Sequence, residues 1–350
     1  MKKFLVIYHN EDNDGLFSAA LFSDYIINTL HCKLEDIKFL GSNYNSLEVF
    51  ANENTPEELH EQYENIIMTD ISFKDIYMKK LFKEFGNNFT WCDHHAPIIK
   101  ASFENKFDDV PGVRDTKRSA ILCVWKHLYD PFDEFYNERK NPQIPRLLRI
   151  LSAYDSWTYE IEGYEFEYVR NINKGVTYHY DLQLDIITSL VTNLREVYLK
   201  NQPSGVFSAI LRDNSLIKEM YDLGKSLNDY DDKIMADIIR VSGDCSWQIK
   251  IDDKDKGHPL YLKACAIFHE GATNSTMFKS LKNRVVSQGI VFKHQKNGNW
   301  VMSLYNVSDD EWLHCGEFLK ERYGGGGHKG AAGCTLTEEQ FINILKVKII

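Results

Sequence analysis

The run Phe4-Leu5-Val6-Ile7-Tyr8 passes directly into His9-Asn10-Glu11-Asp12-Asn13-Asp14-Gly15. An unbroken apolar run of this length matches a strand buried on both faces, as in a parallel sheet. Past Gly15, the residues Leu16, Ala19, Ala20, Phe22, Ile26 and Ile27 recur on one side of a helix. Strand, polar loop and helix open an α/β unit, and ligands of such sheets collect at the carboxyl ends of the strands. His9, Asp12 and Asp14 stand at that end. Helix capping accounts for one of the acids, with Asp14 as an N-cap and Asp12 as a turn residue. It accounts less well for a histidine and two alternating aspartates in one loop.

The same grammar repeats downstream. Ile37-Lys38-Phe39-Leu40 reads as a second strand, and residues 43–63 as loop plus a short helix opening at Pro56. The run Asn65 to Ser72 is the third strand, with Asp70 near its far end. A helix over Lys74 to Phe85 stops at Gly86-Asn87-Asn88. Phe89-Thr90-Trp91-Cys92 is the next strand; it ends in Asp93-His94-His95, and Ala96-Pro97 ends the local structure. A basic cluster, Arg114, Lys117 and Arg118, precedes an apolar helix from Ala120 to Leu128. It is either surface charge or a phosphate contact at a helix start, where backbone N–H groups favour anions. A helix from Ile144 to Ala153 runs into Tyr154-Asp155-Ser156-Trp157. Taken alone, Asp155 reads as a cap.

Residues 180–240 read as helical throughout, and near Val241-Ser242-Gly243 the pattern changes to short β runs. These are Trp247 to Ile251, Leu260 to Phe268, Gly289 to Lys293 and Trp300 to Leu304, with helices over Thr276 to Val285 and Glu311 to Arg322. The segment Gly324-Gly325-Gly326-Gly327-His328-Lys329-Gly330-Ala331-Ala332-Gly333 follows, before a terminal strand and helix. Glycines let a backbone approach a ligand closely and turn N–H groups towards an anion.

A chain of 350 residues is long for one core and predicts two domains. The expected fold class is α/β: a doubly wound, mainly parallel sheet in the N-terminal domain plus a smaller α/β mixed-sheet C-terminal domain, with a cleft between them. The boundaries fall at 1–200, a helical linker at 201–243, and 244–350. The net charge of -10 argues against a protein that grips long duplex nucleic acid by its backbone. Seven scattered cysteines without a Cys-x-x-Cys pair read as reduced thiols of a cytoplasmic protein. The apolar run after Met1-Lys2-Lys3 is too short for a signal peptide, and no stretch is long enough to span a membrane.

Taken together, His9…Asp12-Asn13-Asp14-Gly15, Asp70, Asp93-His94-His95, Asp155 and Gly324-Gly325-Gly326-Gly327-His328 resemble the DHH phosphoesterase superfamily, in the branch with the DHH-associated C-terminal domain. That branch holds nano-RNases, RecJ-type exonucleases and dinucleotide phosphodiesterases. The resemblance spans nearly the whole chain. Its first motif is the short form, with His9 and Asp12 three apart, which points to the oligonucleotide-cleaving side.

The resemblance implies a two-metal site for Mn²⁺, with Mg²⁺ as the substitute; hard carboxylates mixed with imidazole suit that choice. His9, Asp12 and Asp70 would hold one ion. Asp14, Asp70, His94 and Asp155 would hold the other, with Asp70 bridging. His95 would contact the scissile phosphate, and Asp93 would ligate or orient a neighbour. Gly325, Gly326, Gly327 and His328 would hold the adjacent nucleotide. The family's phosphate-binding arginine is missing: Tyr305 stands near its place, with Arg284 or Lys293 as substitutes and Arg118 as a further basic contact. The implied partner is a short single-stranded oligonucleotide or dinucleotide, cut to 5′-mononucleotides; neither a membrane nor long duplex nucleic acid is expected, and a homodimer is admitted. The alternatives are a RecJ-like exonuclease, a cyclic-dinucleotide phosphodiesterase, a polyphosphate or pyrophosphate phosphatase, and a non-catalytic nucleotide-binding protein. The basic C-terminal signature of family II pyrophosphatases is absent, as are the sensory and transmembrane modules of membrane-bound cyclic-dinucleotide phosphodiesterases.

Overall fold

The computed structural model describes residues 2–129, 144–179, 214–251, 259–271, 273, 276–281, 286–307, 313–327 and 329–350. The chain divides into two compact units, Met1–Leu227 and Asn228–Ile350. The division falls within one 29-residue helix, Asn214–Ser242.

The N-terminal unit is built on four parallel strands, β1 (Lys2–His9), β2 (Ile37–Ser42), β3 (Tyr63–Thr69) and β4 (Phe89–Cys92), in the order β2-β1-β3-β4. Alternation of side chains along each strand feeds two cores. Phe4, Val6, Ile67 and Cys92 pack with α1 (Asn13–Asn28) and the helices α6 (Ala120–Tyr129), α7 (Arg146–Asp155) and α8 (Phe166–His179). Leu5, Ile7, Ile66, Met68 and Trp91 face the other way, towards α2 (Tyr44–Glu53), α3 (Pro56–Gln62), α4 (Asp75–Phe85) and α5 (Ala96–Asn105). Strands with both faces covered read as continuous apolar runs, which is why β1 shows no alternation. The sheet is doubly wound. β2 and β3 flank β1 on opposite sides, so the order reverses there, and the loops after β1 and β3 meet at a switch point.

Several local expectations change. Ala96-Pro97 starts α5 rather than ending the structure, because proline is tolerated in a helix's first turn, where its missing N–H has no partner to lose. Residues 43–63 hold two helices, capped by Asn43 and Thr55. In the C-terminal unit, the described part of the expected helix over 276–285, residues 276–281, holds a turn and the short 3-10 helix Lys279–Leu281, and the next helix runs Cys315–Tyr323. Of the stretch over 180–240 expected to be helical, residues 180–213 lie outside the described residues.

The C-terminal unit carries a mixed six-stranded sheet: β5 (Asp244–Ile251), β6 (Leu260–Phe268), β7 (Gln288–His294), β8 (Trp300–Asn306), β9 (Gly326–Gly327) and β10 (Ala331–Leu336), in the order β5-β6-β7-β8-β10-β9. Among these six strands, β6 and β7 pair in parallel and the other neighbours pair antiparallel. All seven cysteines are free, and five are buried. Among the described residues, no helix is long and apolar enough to cross a membrane.

Candidate metal centre

The loop after β1 carries His9, Asp12 and Asp14. Asp12, rather than Asp14, is the N-cap of α1, and its Oδ1 accepts from the Gly15 N–H at 3.0 Å. A side chain at position 15 would strike the His9 backbone, since a Cβ there would lie 2.2 Å from the His9 carbonyl oxygen. The glycine lets α1 begin against the strand end. Asp12 Oδ2 lies 2.9 Å from His9 Nδ1.

Asp14 points inward and is buried. Its two oxygens accept from the backbone N–H groups of Ala120 and Ile121, at 2.7 and 2.9 Å, at the start of α6. The anion favoured by that helix start is thus the chain's own carboxylate. The nearby basic cluster also has internal partners. Arg114 donates to the carbonyls of Trp91 and Asp108 and lies over the Trp91 ring, and Arg118 pairs with Asp115 at 3.1 Å.

Asp70 follows β3 with a left-handed backbone, φ 58°. Aspartate tolerates that region better than most residues, yet it still costs energy. The residue is 1% exposed, and neither carboxylate oxygen has a hydrogen-bond partner. Oδ2 faces His9 Nδ1 at 3.7 Å, and Oδ1 faces His94 Nε2 at 3.2 Å. His94 Nε2 also lies 3.5 Å from Asp155 Oδ2, at the last residue of α7, and 3.7 Å from Asp14 Oδ2.

These contacts define overlapping groups: His9, Asp12 and Asp70; Asp14, His94 and Asp155; and Asp70, His94 and His95. Within each group, the potential ligand atoms lie within 4.8 Å of one another. Burial raises the carboxyls of Asp14, Asp70 and Asp155, and the neighbouring carboxylates raise them further. Asp12 goes the other way: burial works against its charge, but the His9 contact and the Gly15 N–H outweigh it. A bound cation would neutralise this crowding and satisfy the orphaned oxygens of Asp70 and Asp155, so the residues fit a metal.

Asp93 belongs to none of these groups. It is fully buried; Oδ2 accepts from Trp91 Nε1 at 3.1 Å, and Oδ1 accepts from the His94 and His95 N–H groups. The same Oδ1 lies 2.7 Å from His95 Nδ1. Burial alone would raise the Asp93 carboxyl, but the His95 contacts hold it below the usual range, so it stays an acceptor and orients the His95 ring through Nδ1. Both Asp93 oxygens are thus taken up by Trp91, His94 and His95.

In the C-terminal unit, Gly324 caps the helix Cys315–Tyr323 in the left-handed region, φ 68°. A Cβ at Gly325 would lie 2.4 Å from the Gly333 carbonyl oxygen, and one at Gly327 2.6 Å from that of Ala331. Gly326 faces open space. His328 and Arg284 lie outside the described residues. Tyr305 is buried, and its hydroxyl bonds to Thr273 at 2.9 Å.

Two contributors escaped the sequence reading. Tyr44 sits beside both His9 and His95, but it stands in a stretch that reads as loop. Asn13 donates to the Asn173 side chain at 2.8 Å and to Thr177 at 3.0 Å, tying the metal loop to α8. A pairing 160 residues apart leaves no local signal.

No protein-family model matches the chain, and a search of curated proteins finds no significant match. Solved structures do match along its length. A pGpG-specific phosphodiesterase from Vibrio cholerae is 15% identical, with 99% of this chain and 97% of that one covered, at TM-score 0.48. An exopolyphosphatase-related protein from Bacteroides fragilis is 13% identical, covering 99% and 91%, at 0.42. The exonuclease RecJ bound to manganese is 13% identical, covering 99% and 89%, at 0.41. Likeness at this level carries no functional inference, so the chemistry has to be read from the site itself.

Proposed function

We propose that the chain is a metal-dependent phosphodiesterase that hydrolyses short oligonucleotides or dinucleotides to 5′-mononucleotides. The observation that carries this reading is Asp70: a buried carboxylate with both oxygens unsatisfied, one turned towards His9 and the other towards His94. His9, Asp12 and Asp70 would hold one Mn²⁺, or Mg²⁺ in its place, and Asp14, Asp70, His94 and Asp155 the other. When bound, such ions polarise a phosphate and activate water.

The chain's own residues do the rest. Asp93 holds His95 by its Nδ1, which leaves Nε2 to meet a phosphate oxygen. Burial disfavours the charged imidazole, but Asp93 outweighs it and raises the His95 pKa, so His95 can present a positive edge. The α6 start steadies Asp14 through two backbone N–H groups. In the C-terminal unit, Gly326 and His328 would receive the neighbouring nucleotide.

The test is a Mn²⁺-dependent cleavage panel of pApA, RNA from two-mers to long chains, the same lengths in DNA, cyclic dinucleotides and polyphosphate. Turnover of two- to five-residue strands from an end supports the reading. Cleavage of phosphate chains with none of dinucleotides overturns it.

A further inference from the structure

Tyr44 is the first residue of α2. Its ring centroid lies 6.2 Å from that of His9 and 6.2 Å from that of His95, edge-on to the latter at 87°. The residue is nonetheless 49% exposed and belongs to none of the buried apolar clusters. Core packing therefore does not explain an aromatic side chain held against two site imidazoles.

Its placement is built. Asn43 caps α2 by accepting from the Asn45 and Ser46 N–H groups, at 3.1 and 3.0 Å. Its Nδ2 donates to Glu11 Oε1 at 3.0 Å, in the loop that carries His9 and Asp12. The start of α2 is thereby tied to the candidate metal centre. The Tyr44 side chain ends in a phenol, whose O–H is a donor. A donor beside a site that gathers carboxylates around cations suits an anion brought in by those cations.

We propose that the Tyr44 hydroxyl donates a hydrogen bond to a non-bridging oxygen of the phosphate taken by this site, and so positions the substrate. The proposal rests on the phosphoesterase reading above. Tyr44→Phe removes the hydroxyl and keeps the ring. It should lower kcat/KM on pApA by about ten- to a hundredfold, the size expected for one hydrogen bond to a charged group. Affinity for AMP in the presence of Mn²⁺ should fall in step, while the Mn²⁺ count and Tm stay at wild-type values.

A Tyr44→Phe protein that matches wild type in turnover and AMP binding, with loss appearing only in Tyr44→Ala, would reduce the residue to packing and overturn the proposal. Loss of Mn²⁺ from Tyr44→Phe would overturn it as well. If wild type cleaves no phosphodiester, the phosphoesterase reading fails, and AMP binding alone decides: weaker binding by Tyr44→Phe supports the hydroxyl contact, while equal binding, or none by either protein, removes it.

Discussion

At the carboxyl ends of β1 and β3, folding leaves charge without compensation; along Gly324–Gly333 it accounts for most of what is unusual. Asp70 is buried in a left-handed conformation with both oxygens orphaned, and Asp14 and Asp155 crowd the same space. Asp14 also caps the start of α6, but the orphaned oxygens of Asp70 do nothing for folding. In the glycine segment, Gly324 ends a helix, and Gly325 and Gly327 make room for the β10 backbone. Gly324, Gly326 and Gly330 have no neighbour to accommodate, and of these only Gly324 has a positive φ. An orphaned carboxylate is therefore stronger evidence of a ligand than a run of glycines, because folding gives it no other purpose.

The largest expected effect tests the first half of that contrast. Asp70→Asn keeps the shape and tolerates the left-handed backbone. Turnover should fall by more than about a thousandfold, beyond the loss of a single oxyanion-hole donor, and the bound metal count should drop. The metal-free variant should nonetheless melt higher than metal-free wild type at neutral pH. The Asp70 pKa is raised in the fold above its ordinary 3.8, chiefly by burial and then by Asp12 and Asp14. Its ionisation then destabilises the folded state as pH rises through the raised value, and costs nothing below the unfolded one. The gain in Tm should vanish towards acid pH. A variant that keeps two metals per chain, or activity within about tenfold of wild type, would remove Asp70 from the bridging role.

Substrate length is the next contrast. With a net charge of -10, a long polyanion is repelled at low salt, so a dinucleotide should exceed a 20-mer of the same sequence in kcat/KM. A processive preference for the 20-mer at both of two salt concentrations would favour a RecJ-like exonuclease instead.

The glycine segment supplies the smaller effects. His328→Ala should raise KM about tenfold with metal content intact, as expected for lost substrate binding; loss of metal would put His328 among the ligands. Gly325→Ala should lower stability by about 1–3 kcal/mol, because backbone must move. Gly326→Ala should leave Tm unchanged and alter only KM. If Gly325 and Gly326 behave alike, the division between folding and ligand glycines fails.

Strand ends were legible because a parallel sheet writes each strand as an apolar run and then stops: β4 is found at Phe89–Cys92 with its acid next in line. The acids and imidazoles at those ends were legible for the same reason, since His9, Asp70 and Asp93-His94-His95 all follow such runs. Less legible were elements defined by capping rather than apolarity. The helix Tyr44–Glu53 has one buried residue, Leu47, so its sequence looks like loop, and Tyr44 was lost with it.

From the sequence alone came the α/β class, the strands and the set of acids and imidazoles at their ends, because burial on two faces dictates local composition. Only the tertiary structure decided what each group does. Asp12 caps a helix that Asp14 was expected to cap, and Asp14 instead meets the N–H groups of Ala120 and Ile121, more than a hundred residues away. Asp93 turned to Trp91 and His95, while Asp70 found no donor at all. A carboxylate's role depends on which donors surround it, and those donors come from segments that only folding brings together.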